Sequence, residues 1–269
     1  MMEAPTEAVT RPSGVRLRLL VLLAVAAVAS MVVLRMPPLV QDPGYHQFAD
    51  TRPWLGIPNF QNVASNLPIL LVGVLGLVRL WQRTSGPGGA REVTEKAAWL
   101  FLFLGFTLAS FGSAYYHLAP TNTTLVWDRL PMTFGFMGLF AAVLGERISE
   151  RAYRLLLWPL VSLGIASVLF WYAGEVQGRG DLRLYVLVQF LPLLLIPLIM
   201  MLYPPRYSHG RYVFLALGWY VVAKVLENYD RQIFAALSIV GGHALKHCAA
   251  ALGGWTLVRM FSLRARLQP

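Results

Sequence analysis

The chain has 269 residues, of which 57% are hydrophobic and only 13% charged. Ordinary soluble domains carry about 25% charge, so lipid must be part of this chain's solvent. The formal net charge of +10 does not indicate nucleic acid, because the basic residues form no patch and sit at the ends of apolar segments. A single cysteine, Cys248, excludes an internal disulfide framework.

Residues 1–16 are polar, with Pro and Gly, and are expected to be disordered. Arg16 and Arg18 precede an apolar run, and residues 17–35 read as an extra transmembrane helix. Ala27-Val28-Ala29 resembles a signal-peptide cleavage site. A retained signal anchor is preferred, because the apolar run continues through Met31 to Leu34. Residues 36–58 follow as a loop.

Seven further apolar segments match a hydrocarbon core that needs about 20 residues, the short ones extending into their flanks. They are Phe60–Trp81, Ala97–His117, Leu130–Leu144, Tyr153–Tyr172, Leu184–Leu202, Tyr212–Leu226 and Ile233–Phe261. The expected architecture is an all-α polytopic membrane bundle: one N-terminal helix, a seven-helix domain over 59–263 and a tail over 264–269. With the N-terminus inside, fifteen of the 23 Lys and Arg fall on the inner side and six on the outer, with Lys224 and Lys246 within spans. That asymmetry predicts two cytoplasmic termini and loop 36–58 outside, in a cytoplasmic (inner) membrane.

Polar residues inside these spans carry the chemistry, since ionisable groups in a membrane are costly and mark sites or pathways. Ser113 and His117 lie four apart, as do His243 and His247, so each pair shares a helix face. Asp128 opens the next span from the same side as His117, and all five fall at the outer leaflet's depth. Three histidines and a carboxylate from separate helices suit a catalytic zinc ion with one open position. The plainest alternative for one intramembrane histidine is an interhelical hydrogen bond, which two such pairs and an aspartate at one depth make less economical. Axial haem ligation leaves Ser113 and Asp128 without a role, and adjacent residues on one helix cannot be opposed ligands.

Asn62 and Asn66 share a face and suit interhelical hydrogen bonds. Lys224, Glu227 and Asp230 read as a self-neutralising ionic cluster, and Lys246 has no assigned role. In loop 36–58, Tyr45, His46, Phe48 and Trp54 suit an aromatic rim or simple anchoring at the interface. The same loop could carry a lid or a second metal, with Asp50 and Asn59 as a weak candidate site.

Over residues 58 to 262 the sequence resembles the alkaline ceramidase family, among seven-helix membrane hydrolases that include adiponectin-receptor-like proteins. The resemblance rests on Ser113-x-x-x-His117, Asp128 within Asp-Arg-Leu-Pro-Met, His243-x-x-x-His247, and Asn59-Phe60-Gln61-Asn62 with Ser65-Asn66. It implies that His117, His243 and His247 hold zinc. It also implies that Asp128 and Ser113 contact the attacking water and the substrate carbonyl. The implied activity is hydrolysis of ceramide or another N-acyl membrane lipid to a fatty acid and an amine. Calcium-binding members carry a glutamate where this chain has Asn59, so calcium is not expected. The rival expectation is a non-catalytic receptor or transporter with a structural zinc.

Overall fold

In a computed structural model that describes residues 13–84 and 89–267, the chain is an all-α bundle with no strands among the described residues. The predicted N-terminal tail falls mainly outside the described residues, as do Arg11 and the side chain of Arg91 from the charge count. Helix α1, Ser13–Arg35, begins within that predicted tail and lies against α7 with most of its surface exposed. After a 3-10 turn at Pro43–His46 come α2 (Phe60–Ala64), α3 (Leu67–Thr84), α4 (Gly89–Leu118), α5 (Asn122–Arg147) and α6 (Glu150–Val176). They are followed by α7 (Arg183–Leu202), α8 (Arg211–Asn228), α9 (Asp230–Leu237) and α10 (Gly242–Leu263). Among the described residues, five stretches are by themselves long and apolar enough to cross a membrane: Gly14–Arg35, Phe60–Arg83, Lys96–Leu118, Glu150–Val176 and Arg183–Leu202. The lipid-facing character of the bundle shows in large apolar side chains left outside, such as Leu155, Trp158, Phe170, Met201 and Val221.

Two predicted spans are not continuous helices. Phe60–Trp81 is interrupted at Ser65–Asn66, which separates α2 from α3. The single span read over Ile233–Phe261 is two helices, α9 and α10, that meet at 108°. Ser238 adopts a left-handed conformation at the end of α9, and α10 restarts after Gly241. At Gly242 the backbone is so close to α8 that a Cβ would lie 2.1 Å from the Leu226 carbonyl.

The α4–α5 pair is the broadest helix interface and depends on small residues, as membrane helices that pack by close approach require. A Cβ on Gly105 would lie 2.5 Å from the Gly135 nitrogen, one on Gly112 would lie 1.8 Å from the Trp127 carbonyl, and one on Gly138 2.7 Å from that of Ala98. The start of α5 is fixed by a capping box in which Thr121 and Thr124 satisfy one another's backbone N–H groups. Together these features set the C-terminal turn of α4 beside the first turns of α5.

Loop 36–58 closes that end of the bundle through long-range hydrogen bonds. The Leu182 N–H donates to the Leu39 carbonyl (2.8 Å), the Ala49 N–H to Asp230 (2.9 Å), and Arg52 to the Ser238 and Ile239 carbonyls. At the opposite end Arg264 is buried, paired with Glu146 and stacked over Tyr207 at 4.1 Å. Arg83 there donates to the Phe261 and Arg264 carbonyls.

Candidate metal centre

His117 ends α4, and His243 and His247 occupy the first two turns of α10; all three are buried. One ligand nitrogen from each lies within 4.8 Å of the others, and among the described residues no other His, Cys, Asp or Glu group of this kind occurs. The Nε2 atoms of His117 and His243 are 3.3 Å apart. Two zinc–nitrogen bonds of about 2.0–2.1 Å in tetrahedral geometry set their nitrogens about 3.3–3.4 Å apart. A simple imidazole–imidazole hydrogen bond would also bring two Nε2 atoms together, but a third converging ring favours a shared cation.

The tautomer of His247 is set from α2. Its Nδ1 lies 2.8 Å from Ser65 Oγ, and that hydroxyl donates to the Asn62 carbonyl at 3.1 Å. Ser65 therefore accepts from Nδ1–H, which leaves the Nε2 lone pair for a metal, the arrangement common around ligating imidazoles. The α10 start that carries the pair is held by Asp230, whose Oδ1 accepts from the His243 N–H (2.8 Å). Asn59, in a left-handed conformation, donates to the His117 carbonyl (2.8 Å). The His117 Nδ1 has no hydrogen-bond partner in the protein. Above the cluster Phe48 packs on His117 and His243, with ring centroids 4.7 and 4.6 Å away.

Ser113 and Asp128 are both buried, on the facing turns of α4 and α5. Both line a cavity of about 340 Å³ together with His247. The cavity wall runs from Ser113 to Leu102 on α4, Asp128 to Leu139 on α5 and Lys246 to Leu257 on α10. At 1.5 Å per residue each stretch is about 16 Å, half of a ~30 Å hydrocarbon core. The wall is otherwise apolar and includes Phe106, Met132, Phe136 and Leu193.

Several sequence expectations are revised here. Of the apolar spans available to wall the cavity, residues 153–172 contribute nothing to its lining, whereas residues 184–202 on α7 do, together with α8, through residues such as Val186, Phe190, Leu217 and Tyr220. Asp50 and Asn59 do not share a site: both Asp50 oxygens are taken by Arg52 at 2.8 Å, and Asn59 holds His117. Those hydrogen bonds from the Arg52 guanidinium hold the Asp50 carboxyl below its usual range. The ionic cluster is Glu227 with Lys224 and Lys246, which gives Lys246 its partner, whereas Asp230 serves the backbone of Ala49 and His243. Asn62 ties α2 to the Asp50 carbonyl (3.1 Å), and Asn66 donates back to the Asn62 carbonyl (2.8 Å), instead of bonding to another membrane helix.

The loop aromatics do not form one rim. Trp54 is exposed and packs on Phe60; His46 bonds Tyr116 and Asn122, both at 2.9 Å; Phe48 roofs the histidines; Tyr45 reaches the cavity. The role of Ser65 was not foreseen, although the residue stands in a recognisable motif; a hydroxyl one helix away from a ligand carries no sequence signal of its own.

The chain is thus a membrane-type helical bundle with a buried three-histidine group able to hold a metal ion. Neither a protein-family model nor a curated protein sequence matches it.

Proposed function

We propose that the chain is an integral-membrane, zinc-dependent amidohydrolase that cleaves a lipid amide, ceramide or a related N-acyl lipid, to a fatty acid and an amine. The supporting observation is that the three-histidine group has no fourth His, Cys, Asp or Glu ligand among the described residues, and that Asp128, Ser113 and His247 open into one apolar cavity. Structural zinc sites are closed by four protein ligands, whereas catalytic sites keep a position open. That observation supports the hydrolase reading over a receptor or transporter with a structural zinc.

When bound by His117, His243 and His247, zinc supplies Lewis acidity, lowering the pKa of a water toward about 7 and polarising a carbonyl. The cavity between α4, α5, α7, α8 and α10 takes the acyl chain and holds the amide at its polar end. Asp128, beside Ser113 at the polar end of the cavity, takes the proton of the attacking water and returns it to the departing amine. Ser113 then turns its hydroxyl to the developing oxyanion. Phe48 and Tyr45, folded over this end, exclude bulk water.

Access is from the side. Helices α7 and α8 both line the cavity yet scarcely touch one another, and they are bridged by the Gln189 amide donating to the Tyr220 hydroxyl at 2.6 Å. A two-tailed lipid slides between them from the leaflet at the end of loop 36–58. The excess of Lys and Arg at the opposite end supports placing that leaflet at the outer face of a cytoplasmic membrane, with both termini inside.

The test is turnover of N-acyl lipids by purified protein, with Asp128→Asn alongside. The proposal expects Asp128→Asn to abolish turnover and to keep its zinc. Loss of zinc in that variant, or rates independent of acyl length where each buried CH₂ is worth about 0.8 kcal/mol, would overturn it.

A further inference from the structure

Arg129 follows Asp128 and is only 6% exposed, yet among the described residues no carboxylate forms a salt bridge with it. Its guanidinium carbon lies 4.4 Å from the Trp171 ring centroid, 5.0 Å from that of Tyr185 and 5.6 Å from that of Tyr45. One end of the fork is spent, since Nη2 donates to Gln41 Oε1 at 2.6 Å. The other, Nη1, is fully buried and bonds to nothing in the protein. A buried guanidinium left without an anion is costly, and such groups are retained where a ligand completes them.

Arg129 lines the same cavity as Asp128, Ser113 and His247. The other charged side chains of the lining are Lys224, Lys246, Glu227 and Asp128, and Glu227 takes both lysines. Cations therefore exceed carboxylates at the polar end before any metal is counted. Tyr45, Gln41 and Phe48 lie over this end, so the group received there is small. A planar carboxylate matches the free edge of a fixed guanidinium.

Resting on the amidohydrolase reading, we propose that the substrate is an anionic lipid amide, an N-acyl amino acid, whose carboxylate docks on Arg129 Nη1. Arg129 sits one residue beyond the proton-transferring Asp128. Both side chains line the one cavity, so the proposal seats a carboxylate on the carbon next to the scissile nitrogen at Nη1 while the acyl chain fills the apolar part. Hydrolysis adds water across the C–N bond, giving the fatty acid and the free amino acid, with no other reactant.

The experiment compares N-palmitoylglycine with N-palmitoylethanolamine, which carries a hydroxymethyl group in place of the carboxylate, on zinc-loaded wild type and on Arg129→Gln and Arg129→Lys. A charge-assisted hydrogen bond is worth about 1.5–3 kcal/mol, so kcat/KM in wild type should favour the acid by about 10–100-fold. That ratio should collapse toward one in Arg129→Gln and recover in part in Arg129→Lys. Equal kcat/KM for the two lipids in wild type overturns the inference, and this requires no variant to fold. An Arg129-dependent affinity for palmitate without discrimination between the amides overturns it too, by assigning the residue to the product. Binding of a non-hydrolysed N-palmitoylglycine analogue separates the two layers. Arg129-dependent binding without turnover of any amide keeps the carboxylate site and removes the hydrolase reading.

Discussion

Removing the Ser65 hydroxyl perturbs the proposed metal centre without touching a ligand. In Ser65→Ala the 2.8 Å contact to His247 Nδ1 disappears, and with it the group that fixes the ring's tautomer. Partners of this kind are worth 10–100-fold in metal affinity. Here the lower end applies, because the Asn62 carbonyl also faces the His247 ring and can accept Nδ1–H in part. The expected loss is about tenfold, or about 1.4 kcal/mol. Ser65 lies at the end of α2 and not in a packed interior, so the fold should survive. The assay is competition for zinc between purified protein in detergent and a chelator of known affinity. Ser110→Ala is the control, since that hydroxyl bonds only its own helix at Thr107. Zinc affinity equal to wild type in Ser65→Ala would refute the assignment of Nε2 as the ligand atom. So would a tenfold loss in Ser110→Ala.

Gly112→Ala should lower the melting temperature and the activity together, because its Cβ would meet the Trp127 carbonyl and push α5, with Asp128, away from α4; overpacking of this kind costs about 1–3 kcal/mol or more. Gly218→Ala, with nothing within 4 Å of the added carbon, should be neutral in the same thermal assay. Glu227→Gln should destabilise by about 3–5 kcal/mol, since it strands the largely buried Lys246, whereas Lys224→Gln, whose side chain is 43% exposed, should cost no more than about 1 kcal/mol by denaturation. Arg52 depresses the Asp50 carboxyl, so its stabilising contribution is full above the unfolded pKa of about 3.9 and disappears as pH falls through the lower folded value. The stability difference between wild type and Asp50→Asn should accordingly be constant near neutrality and shrink only below about pH 4; a difference that shrinks between pH 5 and 7 contradicts this.

The two i,i+4 pairs were legible because helical periodicity is a local property: once Ser113, His117, His243 and His247 lie in helices, their shared faces follow. Charge asymmetry and alternation of spans then put Asp128 at the same end. What escaped the sequence is non-local. The 108° bend between α9 and α10 was hidden by an apolar average running across Ser238 to Gly242. Its only local signs are the glycine pair and a residue whose left-handed conformation no composition predicts. Loop 36–58 has no periodicity, so nothing announced that Phe48 would roof the histidines or that Asp230 would cap α10 instead of joining Lys224. In sequence Arg129 is only a basic residue at the start of a span; its aromatic surroundings come from α6, α7 and the loop, more than forty residues away in the case of Trp171.

The proposed chemistry requires three imidazoles to share one zinc ion. Metal analysis of protein purified without added metal, in wild type and in His243→Ala, tests this most directly. The expected result is about one zinc per chain in wild type, falling to background in a His243→Ala protein that remains helical. Full zinc content in His243→Ala, or a wild type that binds no zinc even when supplied with it, would contradict the account.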